Sequence, residues 1–431
     1  MQTKHIIAVV AVVIICVAAI AALALSGDDG SKKYISDDDS GRLMVFGNAN
    51  NDDYIDEKDI EAIEKIIKGE MKETKYADAN HDGKVDEKDI QYVKDIINKK
   101  VDRVWIKQTY NKTEQEIECA YPLTSVCVAG FETVTVIKSI GAVDYITCLS
   151  GLKGDNLNPT FYSDVYNLPK VGPDAWNVDV DQLSKYKVQA IVAMDGKSYI
   201  PNYQTFEQAN IDVIRIEAAN GLTSLNGIVT LGFLFDCVEK ANEEMEFFDG
   251  ILKDIAKKLA TNPEDKKVSG LFVTMTNYCE GVSTRSEYTG TMEIAGATAV
   301  ADDNVWEGKA RKQFFIGDEW LLKEQFQADF IVHSRGLGLG EVDKQAQWDT
   351  YSVYFKEMNA YKNGNYFLLN STLSPVLRIA FMATQFYPDV FGEDYAVNLV
   401  QEYYDKFITN VKDFDAKTDA TWVITADMVK T

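Results

Sequence analysis

Twenty consecutive apolar residues, Ile6 to Leu25, stand at the head of this 431-residue chain. A helix of about 20 such residues, rising 1.5 Å each, is long enough to cross the hydrocarbon core of a bilayer. Lys4 precedes the run, and Asp28 and Asp29 follow it. Positive charge before such a helix favours an inside N-terminus. The expectation is therefore a single-pass anchor over 1–27 that holds the large domain on the outside of the cell membrane. A cleaved signal peptide is the alternative. Ala22-Leu23-Ala24 could serve as its cleavage site, but the run exceeds a signal core of about 7–15 residues. Cys16 lies within the run, without a lipobox.

Length alone predicts two to three domains. The formal net charge of −23 argues against nucleic acid and anionic membrane surfaces as partners. Cys119, Cys127, Cys148, Cys237 and Cys279 form no C-x-x-C pair, so no structural zinc or dithiol centre is expected. Their apolar neighbours predict buried small hydrophobes, at least one of them free or paired with another chain.

Two segments thirty residues apart repeat one pattern. Asn48, Asn50, Asp52, Tyr54, Asp56 and Asp59 align with Asp78, Asn80, Asp82, Lys84, Asp86 and Asp89. Oxygen side chains fall at positions 1, 3, 5, 9 and 12 of both loops, spacing that wraps six to eight hard oxygens around one calcium ion. An apolar residue, Ile55 or Val85, sits at position 8 and can pair with its counterpart. A helix-period apolar stripe follows each loop: Ile60, Ile63, Ile66 and Ile67, then Ile90, Val93, Ile96 and Ile97.

Two loop–helix units ending in Asp at position 12, with no helix entering the first, resemble a type I dockerin over about residues 43–100. The resemblance implies two Ca2+ sites, with Tyr54 and Lys84 giving their carbonyls. Asn48 stands where the family has Asp, and Asp53 replaces the turn Gly. The first site is therefore expected to be the weaker, with Asp53 entering the left-handed region at some cost. A cohesin domain is a possible partner by the same resemblance, and a spacer or intramolecular role an equal alternative.

From Tyr121 the pattern becomes α/β, with short apolar runs alternating with helical stretches. Strands are expected at 125–129, 145–149, 190–194, 213–216, 268–275, 330–333 and 366–369, and helices at 131–140 and 291–295. A proline-free apolar-periodic stretch, 224–259, predicts one helix of roughly 35 residues, far beyond the globular mean. A helical segment follows from about Pro375.

This order resembles the class III solute-binding proteins of ABC importers, the type that carries ferric siderophores, haem and cobalamin. The supporting blocks are Ser125-Val-Cys-Val-Ala-Gly with Ile140-Gly-Ala-Val-Asp, Leu168-Pro-Lys-Val-Gly with Asp181-Gln-Leu, Met292-Glu293-Ile-Ala-Gly, Gly317-Asp-Glu-Trp-Leu-Leu with Ala328-Asp-Phe-Ile-Val, and Phe386-Tyr-Pro-Asp-Val-Phe. Val188-Gln189 stands where Pro-Asp is common in the family. The resemblance implies two Rossmann-like lobes joined by one long helix, preceded here by the anchor and the small helical module. The expected boundaries are 1–27 anchor, 28–42 linker, 43–104 double-loop module, 115–222 first lobe, 223–262 linking helix and 263–431 second lobe.

Such carriers hold a bulky metal chelate between their lobes. Loops leaving the C-terminal strand ends hold Phe131, Glu132, Tyr199 and Tyr203 in the first lobe, and Tyr278, Arg285, Tyr288 and Arg335 in the second. Aromatic faces suit a chelate, and Arg pairs bidentately with carboxylate or phosphate. The family's permease-docking carboxylates map to Asp181 and Glu293. His5, His81 and His333 are the only histidines, too few for a bare transition-metal carrier; His333 reads as a satisfied strand-end residue. Gly336-Leu-Gly338-Leu-Gly340 lacks phosphate-loop spacing and reads as a turn. No nucleophile or zinc-protease motif appears, so no enzyme is expected. The alternative is a dockerin-bearing extracellular enzyme, or a surface adhesin, attached to a cohesin scaffold.

Overall fold

The computed structural model describes residues 42–430, apart from 112, 151–157, 175–176, 197–198, 219–220, 263–266, 276–277, 281–287, 301–312 and 316–326. The chain forms two compact units. The described residues of one run 42–246 and 404–412; those of the other run 247–403 and 413–430.

The first unit opens with two 11-residue helices, α1 (Glu57–Ile67) and α2 (Glu87–Ile97). Asp56 and Asp86 cap them, each in a reciprocal pair with the Asp three residues on. Such caps satisfy donors that a helix start leaves bare. The apolar stripes meet in a shared core of Ala62, Ile63, Ala77 and Val93, against which Ile55 and Val85 pack.

An antiparallel hairpin follows, β1 (Arg103–Tyr110) and β2 (Thr113–Ala120), in register from Arg103 opposite Ala120 to Tyr110 opposite Thr113. It falls where the sequence reading placed a boundary between 104 and 115. Val45 bridges to Ile106, so the segment before the first loop lies along β1.

Next comes a four-stranded parallel sheet of β3 (Val126–Ala129), β4 (Ile146–Ser150), β5 (Ala190–Met194) and β6 (Asp212–Ile216), in the order β4-β3-β5-β6. Strands β3 and β5 are buried throughout, as continuous apolar runs covered on both faces should be. Helix α3 (Phe131–Ser139) leaves β3, the short α4 (Val180–Leu183) precedes β5, and α5 (Tyr203–Gln208) lies between β5 and β6.

The single helix expected over 224–259 is two. Helix α6 spans Ser224–Leu234 and α7 spans Val238–Leu259. Asp236 takes a φ of +57° at the break. The Cys237 amide donates to the Gly232 carbonyl at 2.7 Å, and a Cβ at Gly232 would lie 2.3 Å from that of Ala241. Glycine thus lets the start of α7 fold back against the end of α6. Proline is not the only residue that ends an apolar periodic run.

The second unit holds a sheet in the order β10-β8-β7-β11-β12-β13, made of β7 (Val268–Met275), β8 (Tyr278–Glu280), β10 (Gln313–Phe315), β11 (Phe330–Arg335), β12 (Tyr366–Asn370) and β13 (Val423–Thr425); β9 (Ala297–Ala299) pairs with β7. Its centre, β7-β11-β12, is parallel, and β13 adds an antiparallel edge. Helix α8 (Thr289–Ile294) precedes β9, α9 (Lys344–Tyr351) follows β11, and α10 starts at Pro375, capped by Ser374.

The single-pass anchor requires correction. Among the described residues no helix is long and apolar enough to cross a membrane. The run Ile6–Leu25 that carried that expectation, and the linker up to 41, lie outside the described residues.

Candidate functional site

The two loops of the module bring their predicted oxygen donors together by local hydrogen bonding. In the first, the Asp59 carboxylate accepts from the amides of Asn50 at 3.0 Å and Asp56 at 2.8 Å. Asp52 accepts from Tyr54 N at 2.8 Å and from Asn50 Nδ2 at 2.8 Å. In the second, Asp89 accepts from Asn80 and Asp86 in the same way, at 3.1 and 2.8 Å. Asp78 accepts from the amides of Asp82 and Gly83. Lys84 lies exposed beside that turn.

The residues fit a cation. Asn48 is fully buried; its Nδ2 donates to the carbonyls of Leu43 and Asp52, and its Oδ1 has no hydrogen-bond partner. A buried acceptor left bare is costly unless something positive meets it. Burial pushes the Asp59 carboxyl up to about 7, with the charges of Asp52 and Asp56 adding to the shift. Burial likewise raises Asp89. Among the described residues no group of three or more His, Cys, Asp or Glu side chains is gathered to hold a metal. The loops' donors are instead a mixture of carboxylates, Asn amides and main-chain carbonyls, suited to a hard ion such as calcium.

One expectation about the loops changes. Gly83 has a φ of +88°, but Asp53, at the equivalent position, is not among the residues with positive φ. Asp53 instead pairs with the largely buried Arg42 guanidinium, with Arg42 Nε 2.9 Å from Asp53 Oδ2. In the second loop Lys88 Nζ lies 2.9 Å from Asp82 Oδ2 and lowers that carboxyl.

The second constellation lies at the C-terminal ends of the first unit's parallel strands. Gly130, at φ +105°, ends β3, and a Cβ there would sit 3.6 Å from Glu132 Oε2 and 3.7 Å from Tyr199 Cε1. Glu132 and Tyr199 therefore close over one glycine. Arg215, on β6 and 3% exposed, donates from Nη1 to the Tyr199 carbonyl at 2.8 Å and from Nη2 to the Ile200 carbonyl at 2.9 Å. Its guanidinium lies 4.0 Å from the Tyr110 ring centroid and 5.6 Å from that of Tyr203. The two rings meet edge to face at 5.5 Å. Burial lowers the Arg215 pKa, and the two tyrosines oppose the shift. Tyr199 and Tyr203 are both half-buried.

Three of the four residues expected in this lobe thus converge; Phe131 opens α3 nearby, half-buried. Sequence reasoning missed Tyr110 and Arg215. Arg215 left a trace, a lone charge within the apolar run Val213-Ile-Arg-Ile216. Tyr110 left none, because its position depends on the hairpin.

In the second unit Arg335 ends β11. Its Nη1 donates to the Thr274 carbonyl at 3.0 Å and its Nη2 to the Tyr351 hydroxyl at 3.2 Å, with the guanidinium 4.4 Å from that ring's centroid. Tyr288 stacks on Phe272 at 5.1 Å. Tyr278 lies in β8, where side chains are not described, and Arg285 lies outside the described residues. His333 is fully buried, with Nδ1 2.7 Å from the Tyr366 hydroxyl. Asp181 on α4 and Glu293 on α8 are both exposed. Cys119, Cys127 and Cys148 are buried and free, and Cys237 is free and half-buried.

Comparison with known proteins agrees with this layout. Residues 47–98 match the dockerin type I domain family. No curated protein matches the chain. Among solved structures, the TroA-like periplasmic binding protein FepB from Veillonella parvula is 15% identical, with a TM-score of 0.54, over 74% of this chain and 99% of its own. The molybdate periplasmic binding protein MolA of Haemophilus influenzae, solved with molybdate, is 17% identical, with a TM-score of 0.53, over 68% and 95%. Helicobacter pylori CeuE, solved as a nickel–histidine complex, is 16% identical, with a TM-score of 0.53, over 73% and 98%. FepB and MolA are described as periplasmic binding proteins and lend no support to a single-pass membrane placement. Residues 47–98 are a type I dockerin domain, and the chain that follows has the mixed α/β fold of the class III, TroA-like periplasmic binding proteins.

Proposed function

We propose that this protein is a solute-binding protein that captures a metal chelate (a ferric siderophore, haem or corrinoid) and delivers it to an ABC importer. The finer layout, two lobes linked by α7, belongs to the same proposal. So do the roles of Asp181 and Glu293 as contacts for the importer's permease, and of Tyr278, Arg285, Tyr288 and Arg335 as second-lobe ligand residues.

The observation that carries it is the first unit's array of Glu132, Tyr199, Tyr203 and Tyr110, fixed by Arg215 at the C-terminal ends of β3, β5 and β6. Open α/β sheets place ligands at that end of their strands. Aromatic faces give broad contact to a chelate, and a carboxylate orients it. Arg215 is spent on main-chain carbonyls, so it positions Tyr199 rather than reaching for ligand.

Titration of the purified chain with ferric siderophores, haem and corrinoids, followed by heat and absorbance, is expected to give sub-micromolar binding for one class. Tyr199→Ala should weaken it about tenfold, the loss of one well-packed aromatic contact. No binding across all three classes would overturn the proposal.

The dockerin match favours a second role, attachment to a cohesin domain. It also supports two calcium sites, the first weaker because Asn48 brings no charge. Calcium titration of the full chain by calorimetry should resolve two affinities, the weaker lost in an Asn48→Ala variant.

A further inference from the structure

The dockerin domain does not stand apart from the α/β unit that follows it. His81, at position 4 of the second loop, stacks on Trp105 of β1 with centroids 4.0 Å apart and planes 8° from parallel. Its Nε2 lies 3.0 Å from Glu116 Oε2 on β2, and Phe46 meets its ring edge-on. The backbone of β1 is held by the segment before the first loop, through Phe46 N to Trp105 O and Lys107 N to Met44 O, both 2.9 Å.

Further along the same strand, buried Gln108 accepts from the Arg215 amide at 2.7 Å, and Tyr110 covers the Arg215 guanidinium. Asn111 N then donates to the Asp195 carbonyl at the end of β5. At the hairpin's other end, Arg103 and the Ala120 amide both bind Asp212 of β6. The domain is anchored at a further point: Lys99, just after α2, pairs with Asp236 at the α6–α7 break. One strand therefore carries the second loop at Trp105 and the arginine that fixes Tyr199 at Gln108 and Tyr110.

We propose that the dockerin domain is an integral part of the binding unit, and that an ion in its second loop stiffens the β1–β2 hairpin and, through it, the Arg215–Tyr110–Tyr199 array. Calcium is the probe. A cation drawing Asp78, Asn80 and Asp82 together fixes the turn that carries His81, and His81 has one broad face to pass on, the indole of Trp105. This inference stands whatever ligand the array takes.

Amide hydrogen exchange on the full chain, with calcium and with a chelator, tests it. Calcium should slow exchange about tenfold or more in 47–98, and also in 103–120 and 211–216. His81→Ala should keep the slowing in 47–98 and lose most of it in the hairpin and β6; Trp105→Phe, which retains a ring, should lose less. Slowing confined to 47–98 in the unmodified chain overturns the proposal, as does a His81→Ala chain that still slows throughout. Absence of any slowing overturns it together with the calcium reading, while leaving chelate binding to its own titration.

Discussion

The two loops of the dockerin domain share a spacing and differ in their surroundings. In the second, position 6 is Gly83 at φ +88°, position 5 is clasped by Lys88, and the turn faces solvent. In the first, position 6 is Asp53, engaged by Arg42. A substitution that looks like decay of the turn in the linear pattern is an ion pair in the folded chain. The departure from a motif can mark where the motif meets the rest of its protein.

The largest effect should come from removing calcium. At a hundredfold excess over Kd each occupied loop gains about 2.7 kcal/mol. Thermal unfolding with and without chelator should show the difference; equal melting points in both would mean neither loop is a calcium site. Next, Asp53→Gly restores the family's turn residue but removes the carboxylate paired with Arg42, whose side chain is 8% exposed. Loss of one partner of a buried pair costs about 3 kcal/mol. Denaturant unfolding of this variant should therefore show a less stable chain, whereas a turn-repair account predicts a more stable one.

Asn48→Asp sharpens the contrast from the other side. It adds the missing charge but removes the donor to the Leu43 and Asp52 carbonyls. Without calcium it should cost about 1–3 kcal/mol, and with calcium much of that should return; the ratio of first-site affinities by calorimetry measures the gain. Gly83→Ala meets no atom within 4 Å, so its cost is backbone strain alone, about 1–2 kcal/mol. Lys88→Ala should be the smallest: no measurable change in stability, with tighter calcium binding at the second loop once Asp82 is released.

Much of this was legible in the residues. The dockerin loops repeat a spacing whose chemistry is local, since each carboxylate binds amides no more than nine residues away. Strands such as Ala190–Met194 and Tyr366–Asn370 were visible as apolar runs between turns. The hairpin was not, because β1 interrupts its alternation with Lys107 and Gln108, polar residues that are buried and answered by Glu114 and Gln115 across the hairpin and by the Arg215 amide of β6. The division of 224–259 was hidden too, because Asp236 looks like any helix-surface acid until its φ is known.

By itself the sequence determined the repeated spacing of the dockerin loops, the alternation of strand and helix, and the aromatic residues at Tyr199 and Tyr203. Each of these follows from neighbours close in the chain, where periodicity and hydrogen-bond reach are fixed by covalent geometry. Only the tertiary structure decided that Arg215 serves main-chain carbonyls, that Tyr110 covers it, and that Asp53 answers Arg42. Those pairings cross from 11 to more than 100 residues, and a buried charge takes whichever partner packing brings within reach.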